Sequence, residues 1–171
     1  MSIIVKAAAL ARRAHEGQKR KHTGFPYIYH PARVAGRVGI LPGATEEMVA
    51  AAYLHDVLED TTISREEIER ETNAQVGFYV DCMTNKSKST GLPRAERKAL
   101  DRKHLSEVPF EVKQIKAIDR IDNLLEIASA PTDFKKLYAE ESLLLADVLG
   151  DSPLVHELRS IARNLKESVS A

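Results

Sequence analysis

The stretch "AAAYLHDVLEDTT", residues 50 to 62, decides how the chain is read. Ala50, Ala51 and Ala52 let a neighbouring backbone come close, and Tyr53, Leu54, Val57 and Leu58 supply apolar area. The segment therefore reads as a central, buried helix. Central placement makes His55 and Asp56 costly unless they are paired or hold a metal. On one continuous helix His55 and Glu59 are four apart, as are Asp56 and Asp60. Adjacent His and Asp then reach a single ion only over the helix edge between them. A His-Asp dipeptide is common by chance, whereas HDxxED inside an apolar helix is much more specific. The plainer alternative is a solvated helix end carrying acids.

Working outward, helix signals recur and strand signals are almost absent. Ile4, Ala8, Ala11 and His15 fall at helical spacing in residues 2 to 15, ended by Gly17. Pro31 suits the first position of a helix to about residue 40. Thr45 caps the next helix, which opens with Glu46 and Glu47. Ser64 with Glu67, and Thr72 with Gln75, form capping boxes for helices from 65 and from 73 to about 83. Further helices are expected over about 93–104, 110–129 and 133–149, and a last one after the Ser152 cap and Pro153. The expectation is one all-α domain over residues 1–171, with about eight helices.

The chain has 171 residues, 43% of them hydrophobic, which suits a single core and excludes general disorder. Lys plus Arg balances Asp plus Glu at 25 each. That zero net charge argues against a nucleic-acid binder driven by bulk charge, and leaves room for a local basic patch. Cys82 is the only cysteine, so no internal disulfide forms and a buried thiol is expected. The N-terminal "MSIIVKAAALARRAHEG" lacks a signal-peptide layout, and no segment suits a membrane span. A soluble, cytoplasmic protein is expected.

Two further stretches carry chemistry. In "IKAIDRIDNLLEIA" (115–128), Ile115, Ile118, Ile121 and Leu125 make an apolar stripe. Asp119, Asp122, Asn123 and Glu126 make a second, mostly acidic one. Such a stripe is usually a solvated face; beside HDxxED, one of its carboxylates becomes a candidate ligand. In "RKHTGFPYIYHP" (20–31), His30 sits at a fixed place before Pro31, and Pro26 and Tyr27 wedge the preceding loop. Arg20 and Lys21 are placed to cover an anionic or aromatic ligand. His30, His55, Asp56 and one acid of the stripe form a mixed nitrogen and oxygen set. It suits a divalent transition ion with open positions, such as Mn²⁺, better than a closed structural zinc site. An open site of this kind activates water, and Glu59 and Asp60 beside it can orient that water and move protons. The basic pair suggests a phosphorylated substrate.

The segments "AHEGQKRKHTGFPYIYHPARVA", "AAAYLHDVLEDT" and "IKAIDRIDNL" resemble, in order and spacing, the HD-type hydrolase domain of the Rel/SpoT alarmone enzymes. The total length of the chain resembles that of the small alarmone hydrolases, including the metazoan SpoT homologue type. The resemblance covers roughly residues 1–150. It implies an all-α, metal-dependent hydrolase that removes the 3′-pyrophosphate of (p)ppGpp to give GDP or GTP, typically with Mn²⁺. It implies His30, His55, Asp56 and Asp119 as metal ligands and Glu59 and Asp60 as the pair supporting the attacking water. Arg20, Lys21 and Asn123, with Tyr138 in "KKLYAEES", are implied as nucleotide contacts. Asp122 stands where the family often has His or Tyr, and Phe25 where a polar or small residue is common. Both bear on nucleotide preference and leave the metal set untouched.

Three readings follow. The first is a Mn²⁺-dependent (p)ppGpp hydrolase acting on a small-molecule nucleotide, with no nucleic-acid or membrane partner. The second keeps the chemistry but takes an adenosine alarmone such as ppApp, or NADPH. The third is a non-catalytic nucleotide sensor, which predicts a degraded ligand set that the sequence does not have. The basic run "RAERKALDRKH" (94–104) is either a solvated helix face or an attractor of phosphates. A homo-oligomer is neither required nor excluded.

Overall fold

The computed structural model describes residues 1–169. Among them are ten α-helical segments and two short 3₁₀ turns, and the only strand-like pairing is an isolated bridge between Lys19 and Pro26. The all-α expectation holds. The chain divides into two compact units, Met1–Thr84 and Asn85–Ala171.

The first unit holds α1 (Ile3–Ala14), α2 (Tyr29–Val38), α3 (Glu46–Leu54), α4 (Val57–Asp60), α5 (Arg65–Glu71) and α6 (Ala74–Met83). Its centre is α3, which packs against α1, α2 and α6. Ala50, Ala51, Ala52 and Leu54 are wholly buried. The small alanines suit the close packing of α1 and α2 on α3, where Ala7, Leu10, Ala11, Val34, Ala35 and Val38 are buried as well. Each fully buried Val or Leu contributes about 1.5–3 kcal/mol, so this unit has the means to hold polar groups at its centre. Thr45 caps α3 through Met48 N and Ser64 caps α5 through Glu67 N, as expected. Cys82 is buried.

Three expectations are corrected in this unit. The stretch 50–62 is not one continuous helix: α3 stops at Leu54 and α4 starts at Val57, with His55 and Asp56 at the break. The cap of α6 is Asn73, whose side chain accepts from Val76 N, and not Thr72. Thr72 instead donates its hydroxyl to Ile68 O at 2.6 Å, back into α5. Pro31 stands at the third position of α2 rather than the first, where its missing N–H still costs no helical hydrogen bond.

The second unit holds α7 (Arg94–Glu107), α8 (Phe110–Glu126), α9 (Thr132–Ala146) and α10 (Pro153–Ser168). A 3₁₀ turn at Lys86–Thr90 precedes α7, and another at Ile127–Ser129 follows α8. Helix α10 packs on α8 and α9 and starts as expected, with Ser152 as cap and Pro153 in the first turn. The apolar stripe of α8 keeps Ile115, Ile118 and Ile121 at zero exposure, but continues to Leu124 and not Leu125. A step of three after Ile121 stays on the buried face; Leu125 is 62% exposed.

Candidate metal centre

The loop before α2 delivers the first candidate ligand. Arg20 N donates to Phe25 O and Gly24 N to Arg20 O, both at 2.9 Å, closing a tight turn. Gly24 has a φ of 71°, a left-handed conformation that a side chain would disfavour. The turn leads through Tyr27 into α2, where His30 is completely buried.

The break after Leu54 delivers the other two. Asp56 takes φ −100° and ψ −5°, out of the regular helix, before the chain resumes at Val57. This answers the difficulty of adjacent ligands, because the two side chains are no longer bound to the 100° separation of neighbouring helical positions. His30 Nε2 lies 3.2 Å from His55 Nε2, and His55 Nε2 lies 3.0 Å from Asp56 Oδ2. His30 Nε2 is 3.7 Å from the same oxygen. The three residues present one ligand atom each, all within 4.8 Å of one another. His55 Nδ1 is 2.8 Å from Ala52 O, a carbonyl that only accepts, so Nδ1 carries the proton. Its Nε2 then offers a lone pair, the tautomer a metal-binding imidazole needs. Two imidazole nitrogens and a carboxylate oxygen fit a divalent ion.

Tyr27 ties the cluster together. Its hydroxyl donates to Asp56 Oδ2 at 2.5 Å and lies 3.4 Å from Asp60 Oδ2. Burial, and then the negative charge of Asp56, hold the phenol far above its ordinary pKa. It therefore stays a proton donor. Its ring stacks on His15, centroids 4.6 Å apart, and meets His30 edge-on at 6.0 Å. The guanidinium of Arg20 lies 5.2 Å from the ring centroid. Sequence reasoning gave Tyr27 only a wedging role; a Tyr three residues before a candidate His ligand was the available signal. Tyr27→Phe keeps the ring packing and removes the bond that fixes Asp56. Outer-shell losses of this kind weaken metal binding about 10–100-fold. Calorimetric titration with Mn²⁺ should read that drop, and an unchanged affinity would rule out the orienting role.

The remaining candidates fall as follows. Glu59 is half-buried and Asp60 exposed, both on α4; Arg20 is half-buried and Lys21 exposed. Asp119, Asn123 and Tyr138 belong to the second unit. There Asp119 is buried, with Oδ2 2.8 Å from Lys116 Nζ, and Oδ1 accepting from Asn123 Nδ2 at 2.6 Å. The solvated-face reading of the acidic stripe therefore fails at Asp119. Lys116, which sequence reasoning passed over, neutralises it. A Lys three positions before the acid was the signal. Tyr138 carries the guanidinium of Arg120 at 4.4 Å from its ring centroid and stacks on Phe134.

Residues 7–149 match the HD domain family. A Xenopus tropicalis protein named guanosine-3′,5′-bis(diphosphate) 3′-pyrophosphohydrolase MESH1 is 35% identical over 74% of this chain and 70% of its own length. A guanosine-3′,5′-bis(diphosphate) 3′-pyrophosphohydrolase of Haemophilus influenzae is 34% identical over 90% of the chain. A GTP pyrophosphokinase of Myxococcus xanthus is 32% identical over 95%. The chain spans 23% and 22% of these two bacterial relatives. A solved metazoan SpoT orthologue, described as hydrolysing ppGpp, superposes with a TM-score of 0.81 over 96% of both chains at 26% identity. With its buried His, His-Asp cluster and these relatives, the chain belongs to the HD domain family, among the proteins of the metazoan SpoT homologue type.

Proposed function

We propose that this protein is a metal-dependent phosphohydrolase that removes the 3′-pyrophosphate of guanosine-3′,5′-bis(diphosphate), giving GDP and pyrophosphate. The observation that carries the reading is the convergence of His30 Nε2, His55 Nε2 and Asp56 Oδ2, with His55 Nδ1 pinned to Ala52 O. The relatives named for this hydrolysis supply the substrate class.

His30, His55 and Asp56 would hold the ion, with Asp119 as a fourth ligand on the strength of the sequence motif. We take the ion to be Mn²⁺, from the nitrogen and oxygen donor set. A bound divalent cation supplies Lewis acidity toward a phosphoryl oxygen and toward water. The chain's own residues do the rest. Tyr27 donates to Asp56 Oδ2 and lies within 3.4 Å of Asp60 Oδ2, so the ligand and one member of the acidic pair meet at one hydroxyl. Glu59 and Asp60 orient the attacking water and take its proton. Water replaces the ribose 3′ oxygen at the proximal phosphorus, and the nucleotide leaves with a free 3′ hydroxyl. Arg20 and Lys21, on the turn before α2, bind the nucleotide, with Asn123 and Tyr138. A lone buried thiol at Cys82 suits a reducing cytoplasm.

The test is a pyrophosphate-release assay on protein stripped of metal and reloaded. Turnover of ppGpp should need Mn²⁺ and vanish with EDTA. Turnover that survives EDTA would remove the metal from the mechanism. Running ppApp beside ppGpp in this assay, and NADPH in an orthophosphate-release assay because its 2′-phosphate leaves as orthophosphate, reads the substrate preference, and faster turnover of an adenine substrate would replace the guanine assignment.

A further inference from the structure

Next to Lys116, the partner of the proposed ligand Asp119, the second unit holds a small, partly open polar cavity of about 20 Å³ where α7, α8 and α9 meet. That is room for one water-sized particle. Four cationic side chains line it, Lys98, Arg102, Lys116 and Arg120, against two carboxylates, Asp101 and Glu141. The carboxylates are engaged. Glu141 takes Arg94 at 2.7 and 3.0 Å through its two oxygens. Asp101 accepts from Ser87 Oγ at 2.6 Å and from Lys98 Nζ at 3.4 Å.

Arg120 is the exception. It is 8% exposed, and its Nη1 is buried with no acceptor. Its guanidinium face lies on the Tyr138 ring, so its N–H groups point outward in the plane of the group. Buried donors with a full charge are rarely left without a partner. Burial depresses the Lys98 ammonium; the Asp101 carboxylate opposes this, and the positive charges of Arg120 and Lys116 add to it. A neutral water could accept one N–H and pass its own protons to Asp101, Glu141 or Asn85, but it leaves the guanidinium charge without a counter-ion. An anion only accepts.

We propose that this cavity binds a chloride-sized inorganic anion, accepting from Arg120 Nη1 and balancing the Arg120 guanidinium. Such an ion ties α7 and α9 to α8. Bromide is the direct probe: crystals grown from bromide should show an anomalous peak within hydrogen-bond reach of Arg120 Nη1. In solution at fixed ionic strength, replacing gluconate by chloride should raise Tm by about 3 °C, as saturating one site does in a domain of this size. Arg120→Gln should abolish that shift, whatever its own stability. A water without anomalous signal at the position, or equal Tm in gluconate and chloride, overturns the proposal. So does a shift produced by phosphate or pyrophosphate and not by chloride, which would assign the cavity to a larger oxyanion.

Discussion

His55→Ala should cut ppGpp turnover by at least about a hundredfold, since losing even an outer-shell partner of a metal ligand costs 10–100-fold. The substitution removes Nε2 from the cluster and Nδ1 from Ala52 O together. It leaves two ligand atoms of the first unit, His30 Nε2 and Asp56 Oδ2, 3.7 Å apart. Mn²⁺ affinity should fall in parallel, and calorimetry on the same sample reads that separately from turnover. The site is buried, so a cavity of imidazole size also destabilises the fold by a few kcal/mol. A thermal melt shows whether the variant is folded under assay conditions. Full turnover in folded His55→Ala protein would remove His55 from the ligand set and with it the proposed chemistry.

The legible part of this protein was the part fixed by local pattern. Apolar spacing and caps such as Thr45, Ser64 and Ser152 marked most helices because a cap is a side chain bonding to its own segment. Adjacent capping candidates were harder. Thr72 and Asn73 both precede α6, and the choice went to Asn73 because Thr72 had a carbonyl of α5 within reach. The break at His55 and Asp56 was not legible. The stretch 50–62 carries no Gly or Pro to mark it. What accompanies the break is tertiary: Tyr27, 29 residues upstream, bonds Asp56. The acidic stripe of α8 failed in the same way. Periodicity gives the face of Asp119, but only packing decides that this face is buried there and half-buried at Asp122, Asn123 and Glu126. Sequence reading therefore found the candidate ligands and missed the groups that hold them, Tyr27 and Lys116.

Asp119→Asn should also abolish turnover, by a similar factor of at least about a hundred, but the reason needs separating from stability. Asparagine keeps the shape of the side chain and removes its charge. Lys116, whose side chain is 10% exposed and 2.8 Å from Asp119 Oδ2, then keeps a buried charge without the Asp119 carboxylate beside it. Breaking a buried pair on one side costs about 3–5 kcal/mol. A dead Asp119→Asn enzyme could thus be a misfolded one. The double substitution Asp119→Asn with Lys116→Met resolves this, because replacing both members of a buried pair is often neutral. The double variant should recover most of the lost Tm and none of the turnover if Asp119 binds the ion. Mn²⁺ titration should show weakened binding in the single and the double variant alike. If turnover returns with stability, Asp119 serves the fold of α8 through Lys116 and Asn123, and the fourth ligand must be sought among Asp122 and Glu126 of the same helix.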